Sequence, residues 1–292
     1  MFRGSIVAIV TPFDNEGRFD EEAFRQLVEF QIENGTDGIV PCGSTGEAAT
    51  LDHQEHTEVI RACVAQVNKR VPILAGTGSN STREAIELTN AAKAAGADGA
   101  LLITPYYNKP SQEGLYQHFK TVAEQIALPQ MLYNVPGRTG INLAVETTVR
   151  LAELPNVIGL KDASGGVNQA GEILARTGEG FAILSGDDSL TLPFMSVGAK
   201  GVISVTANIM PAAVRALVAA IEDGHWEDAR QKHFDLLDIH NIMFIESNPT
   251  PVKAALELMN LCKAGVRLPL VTMQPQSVKQ LKTVMARHDL IV

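Results

Sequence analysis

A lysine closes an apolar, β-branched run in Val157-Ile158-Gly159-Leu160-Lys161-Asp162-Ala163-Ser164. An amine at the end of a buried strand loses hydration, which disfavours the ammonium and favours the free amine that imine chemistry requires. The bland alternative is a structural lysine paired with Asp162. In Cys42-Gly43-Ser44-Thr45-Gly46-Glu47, two hydroxyls stand between glycines, so the turn can grip a carboxylate or relay a proton. Helix capping by Ser44 or Thr45 competes with that reading. Tyr106 and Tyr107 follow Ile103-Thr104-Pro105, and Tyr133 lies in Met131-Leu132-Tyr133-Asn134-Val135-Pro136. A phenol in such a place can donate to a carbonyl oxygen and pass a proton on. Arg138, in the glycine-flanked Gly137-Arg138-Thr139-Gly140, suits bidentate capture of a carboxylate, against the alternative of a solvated loop arginine.

These residues share a context. Apolar runs predict strands over 5–13, 38–43, 72–76, 99–104, 130–135, 157–162, 181–186 and 201–206. Amphipathic stretches at 20–34, 52–69, 82–95, 112–126 and 145–154 predict helices between them. Ser81-Thr82-Arg83-Glu84 has the spelling of a capping box, and Gly35 and Gly96 stand where helices end. Continuous apolar strands alternating with helices imply a parallel sheet covered on both faces. Eight such units close a (β/α)8 TIM barrel, whereas a doubly wound sheet usually stops at five or six strands. The helical patterns at 226–244, 251–261 and 277–287 form a C-terminal extension. The expected division is a barrel over 1–224 and a helical extension over 225–292. In a barrel, chemistry sits at the C-terminal strand ends, which is where Ser44, Tyr107, Tyr133 and Lys161 fall. Tyr116, mid-helix, reads as packing.

Composition removes other classes. Thirty-three acidic against 24 basic residues give −9 over 292 residues, which opposes binding to a phosphate backbone. The longest uncharged stretch, 201–214, is too short to span a bilayer, and the N-terminal run reads as a strand rather than a signal peptide. Cys42, Cys63 and Cys262, odd in number and widely spaced, predict reduced thiols in a cytoplasmic protein. Gly76-Thr77-Gly78 lacks the third glycine of a dinucleotide fingerprint. His53 and His56 lack a third ligand and read as a solvated helix face, and Asp187-Asp188 alone is thin support for Mg²⁺. No metal is expected.

In order and spacing, Gly43-Ser44-Thr45-Gly46-Glu47, Tyr133-Asn134-Val135-Pro136 and Gly159-Leu160-Lys161-Asp162 resemble the pyruvate-dependent class I aldolases of the dihydrodipicolinate synthase / N-acetylneuraminate lyase family. The resemblance runs the full length. Thr104-Pro105-Tyr106-Tyr107-Asn108-Lys109-Pro110 and the segment from Tyr133 to Gly140 look like its synthase branch. The resemblance implies that Lys161 forms an imine with pyruvate and that the derived enamine attacks L-aspartate 4-semialdehyde. Tyr133, Ser44 and Tyr107 would relay protons, Tyr107 reaching in from a neighbouring subunit. Thr45 would hold the pyruvate carboxylate, Arg138 that of the semialdehyde, and the carbonyls of Gly186 and Ile203 would line the pocket. No metal or organic cofactor is implied.

The family also implies a homotetramer built as a dimer of dimers, and an L-lysine effector site at Ala49, His53, His56, Asn80, Glu84 and Tyr106. Two departures stand out. Ser44 occupies a position that is usually Thr in the synthases, which keeps the hydroxyl and loses the methyl that restricts χ1. Ala48 replaces a serine common beside the effector residues. G-S-T-G-E is nearer the lyase spelling, but the lyases generally lack Arg138, so an aldolase for N-acetylneuraminate or another 2-keto acid is the alternative enzyme. A non-catalytic keto-acid sensor is the alternative from another class.

Overall fold

The computed structural model describes residues 2–291. Eight parallel strands, β1 (Gly4–Ala8), β2 (Gly38–Val40), β3 (Leu74–Gly76), β4 (Gly99–Ile103), β5 (Gln130–Asn134), β6 (Val157–Asp162), β7 (Ala182–Ser185) and β8 (Gly201–Ser204), run in the order β2-β1-β8-β7-β6-β5-β4-β3. An Ile39–Ile73 bridge and the bond from Gly76 N to Pro41 O, 2.9 Å, join β2 to β3 and close the barrel. The expected (β/α)8 TIM barrel is therefore the fold.

Every strand is followed by a helix, from Glu21–Glu33 after β1 to Pro211–Glu222 after β8. Of the capping box expected over Ser81–Glu84, only one half forms, the bond from Glu84 N to Ser81 Oγ. The Glu84 carboxylate turns instead to Ser79 and His53. The complete box belongs to Asp52 and Glu55, which start His53–Val67. Gly96 caps its helix in the left-handed region that glycine adopts without strain. Strand β1 is shorter than the expected 5–13. From Val10 the backbone turns away, its N–H donating to the Asn208 side chain at 3.1 Å rather than to a ladder.

Side chains alternate across the strands and divide the core in two. Val7, Leu102, Leu132 and Leu160 pack outward under the helices. Ile6, Leu101, Met131, Tyr133, Leu184 and Ile203 fill the barrel interior. By the same alternation Lys161 points inward and Asp162 outward. Tyr133, Lys161 and Leu184 are direct neighbours across β5, β6 and β7. The chain's sequence thus sets an amine in the same inward layer as a phenol.

Beyond the barrel, Trp226–Ile242, Thr250–Leu258 and Pro275–Arg287 form the C-terminal helices. Their buried residues, among them Leu236, Ile239, Leu256 and Leu281, belong to the outer core of the barrel. No described helix is long and apolar enough to cross a membrane.

Candidate active site

The loop after β2 carries the first hydroxyls. Cys42 and Glu47 bracket it in the left-handed region, φ +55° and +54°, where non-glycine residues are strained. Close backbone approach fixes its path, since a Cβ on Gly76 would stand 2.1 Å from Cys42 O. Thr11 Oγ1 donates to Gly46 O at 2.7 Å. Ser44 is half-buried and lines a cavity of about 480 Å³ at the C-terminal strand ends, together with Tyr133 and Arg138. That volume suits a small ligand.

Lys161 is buried, and its Nζ lies 4.2 Å from the centroid of the Tyr133 ring. Pairing with Asp162 does not occur. Among the described residues Lys161 has no ion pair, and Asp162 Oδ1 accepts from Ser164 N at 2.8 Å on the other side of the strand. Burial pushes the Asp162 carboxyl up. Gly186 packs on the lysine: a Cβ there would come within 3.1 Å of Lys161 Cε and 2.8 Å of Ala163 Cβ. Ile203 belongs to the same interior layer. Arg138 lines the cavity, and among the described residues no carboxylate pairs with Lys161.

Thr45 is buried, and its Oγ1 accepts from Asn248 Nδ2 at 3.0 Å. Asn248 also accepts from Arg138 Nη2 through its backbone carbonyl, at 3.1 Å. The residue that joins the two expected carboxylate grips comes from the C-terminal segment, and the sequence reading missed it. An asparagine just before a proline is a common turn signal, so nothing in the spacing marked it.

Tyr107 is not brought into this constellation. It is 91% exposed, at φ +72°, on the loop after β4. Tyr116 packs against the core with the Arg150 guanidinium 3.9 Å from its ring centroid, as its mid-helix place predicts.

Of the six residues implied for an effector, Ala49, His53, His56, Glu84 and Tyr106 line the same cavity, while Asn80 is not among its lining residues, its carbonyl accepting from Asn108 Nδ2 at 2.8 Å. His53 Nε2 meets Glu84 Oε1 at 2.9 Å on the exposed face. The solvated-face reading fails for His56, which is buried with its Nε2 on Gly76 O at 2.8 Å. Burial drives that imidazole down. Burial, then the Glu84 charge, pushes the Tyr106 phenol up. Among the described residues no three His, Cys, Asp or Glu side chains converge as metal ligands. Asp188 is spent on Ser204 Oγ and the amides of Val205 and Thr206.

A closed parallel barrel with a cavity at its C-terminal mouth and an inward lysine beside a phenol defines an α/β-barrel enzyme. The chain belongs to the dihydrodipicolinate synthetase family, whose profile matches residues 1–288. It is 62% identical, over 100% of its length and 99% of the relative's, to the 4-hydroxy-tetrahydrodipicolinate synthase of Syntrophotalea carbinolica. It superposes with a TM-score of 0.98 and 50% identity on the chloride-inhibited dihydrodipicolinate synthase of Acinetobacter baumannii complexed with pyruvate, covering 100% of both chains. The enzyme of Cyanidioschyzon merolae with lysine bound gives 0.97 at 40% identity, over 99% of each chain.

Proposed function

We propose that this chain is a lyase that condenses pyruvate with L-aspartate 4-semialdehyde to 4-hydroxy-tetrahydrodipicolinate, the first committed step of lysine and diaminopimelate biosynthesis. Full-length identity of 62% to a relative carrying that activity supports the reaction. The observation that carries the site assignment is the buried Lys161, its Nζ 4.2 Å from the centroid of the Tyr133 ring, with no carboxylate partner among the described residues.

The Lys161 amine attacks the pyruvate carbonyl and water leaves, giving an imine whose positive nitrogen acidifies the methyl group. Loss of a methyl proton yields an enamine, whose terminal carbon attacks the aldehyde. The oxyanion takes a proton, and the amino group of the product then attacks the imine carbon, closing the ring and releasing Lys161. Tyr133, whose ring packs against the Lys161 amine, hands protons to and from these centres, with Ser44 and a neighbouring subunit's Tyr107 completing the relay. Thr45 holds the pyruvate carboxylate and Arg138 that of the semialdehyde. The Gly186 and Ile203 carbonyls line the pocket.

The imine serves as electron sink, so the reaction runs with no metal or organic cofactor. We further assign an L-lysine effector to the Ala49, His53, His56, Asn80, Glu84 and Tyr106 surface, and a cytoplasmic homotetramer in which dimers complete the site. The units 1–224 and 225–292 serve as catalytic barrel and supporting extension. An acceptor assay tests the proposal: with pyruvate, turnover is expected for aspartate semialdehyde and not for N-acetylmannosamine. The reverse preference would make the chain a neuraminate-type lyase.

A further inference from the structure

Glu47, the last residue of Gly43-Ser44-Thr45-Gly46-Glu47, is as buried as the core around it, and so is the residue that meets it. Lys253, in the C-terminal helix Thr250–Leu258, is 0% exposed, and its Nζ donates to Glu47 Oε1 at 2.6 Å. The other carboxylate oxygen accepts from Arg267 N at 3.0 Å. Both cationic side chains lie over the Phe13 ring, with Lys253 Nζ 4.1 Å and Arg267 Cζ 4.3 Å from its centroid. Arg267 in turn grips both Glu55 oxygens, Gly17 O and Thr50 O. Among the described residues Glu47 is the sole ion-pair partner of Lys253. Burial pushes the Lys253 ammonium down while the Glu47 charge opposes it.

Two charges buried this deeply gain little stability over an apolar pair of the same shape, because desolvation offsets their attraction. What the pair does supply is direction. Glu47 sits at φ +54°, its N–H donates to Ser44 O at 3.2 Å, and its carbonyl accepts from Thr50. A strained residue persists only where its surroundings over-determine it. Here the fixing force comes from the extension, through a carboxylate three residues from Ser44 and two from Thr45.

We propose that the Glu47–Lys253 pair is a positioning device, which holds the Ser44–Thr45 loop in the geometry that captures pyruvate. Lys253 lies outside the cavity lining, and Glu47, at its edge, acts through the loop rather than on the reacting atoms. The inference rests on the assignment of Ser44 and Thr45 to pyruvate.

The test compares Glu47→Gln, Lys253→Met and the double variant, reading the melting temperature and the KM of each substrate. Single variants strand a buried charge and lose stability. The double variant removes both charges and is expected to regain the melting temperature, while its pyruvate KM stays about tenfold or more above wild type, since small misplacements of a grip are costly. The KM for aspartate semialdehyde, governed by Arg138, is expected to stay within about twofold. A double variant that regains both stability and pyruvate KM would overturn the proposal. Should it not fold, Glu47→Asp decides, because it keeps the charge but withdraws the carboxylate by roughly 1.5 Å. A selective rise in pyruvate KM supports the device, whereas no change, or an equal rise for both substrates, overturns it. Thr45→Val is the control: an unchanged pyruvate KM there would remove the underlying site assignment, and the inference with it.

Discussion

Replacing Asn248 by Asp probes the pyruvate grip without touching a residue of the proton relay. Asn248 Nδ2 donates to Thr45 Oγ1 at 3.0 Å, which occupies a lone pair and leaves the threonine O–H free to donate outward. An aspartate there accepts where asparagine donates, so the Thr45 proton turns away from the substrate. It also brings a negative charge near the bound anion. The charge would stand 3.0 Å from Thr45. A carboxylate held by that hydroxyl lies roughly 3 Å further on, so the two charges are about 6 Å apart and repel by about 3 kcal/mol at an effective dielectric constant of ~20. That corresponds to about a hundredfold rise in pyruvate KM. Asn248→Ala removes only the neutral hydrogen bond, about 1 kcal/mol, and is expected to raise the KM about fivefold. Initial rates at saturating aspartate semialdehyde with varied pyruvate measure both. An Asn248→Asp enzyme with a pyruvate KM within about twofold of wild type would refute the reasoning.

Gly186→Ala places a methyl 3.1 Å from Lys161 Cε and 2.8 Å from Ala163 Cβ, so kcat is expected to fall about a hundredfold as the amine is displaced; unchanged turnover counts against Lys161 as the reacting group. Burial drives the His118 imidazole down to about 4 from 6.5, so the unfolded chain takes up this proton first as pH falls. On the order of 3 kcal/mol of stability present above pH 6.5 is therefore lost progressively towards pH 4, and His118→Gln is expected to flatten that part of a melting-temperature profile; an unaltered slope refutes it. Tyr107 is fully outside its own site, so mixing Tyr107→Phe with Lys161→Ala subunits, each inactive alone, is expected to restore about a quarter of wild-type activity through hybrid dimers, and no recovery contradicts action across an interface.

The barrel is legible in the sequence because eight buried parallel strands read as eight apolar runs, and inward placement of Lys161 follows from its parity with Gly159 and opposition to Leu160. The same periodicity could have corrected His56: with Val59, Ile60 and Cys63 it falls at i, i+3, i+4 and i+7 on the buried stripe of its helix. What the sequence hides is the return of the C-terminal segment to the barrel mouth. Asn248 and Lys253 meet Thr45 and Glu47 across some two hundred residues, a closure that no local pattern encodes. Lys253 did carry a signal, standing among Val252, Ala254, Ala255 and Leu256 in a helix that is otherwise apolar at that turn, where an uncompensated ammonium would be costly. Tyr107 is a different case: it is exposed and outside the cavity of its own chain, so its proposed role rests on the resemblance and on the subunit-mixing test.

The central claim is that Lys161 holds pyruvate as an imine. Incubation with pyruvate and borohydride, followed by peptide mass spectrometry, tests it most directly. The account predicts a reduced pyruvate adduct on Lys161, absent from Lys161→Ala and competed by nothing else in the chain. Wild-type enzyme that turns over normally yet carries no adduct at Lys161, or carries it on another lysine, would contradict it.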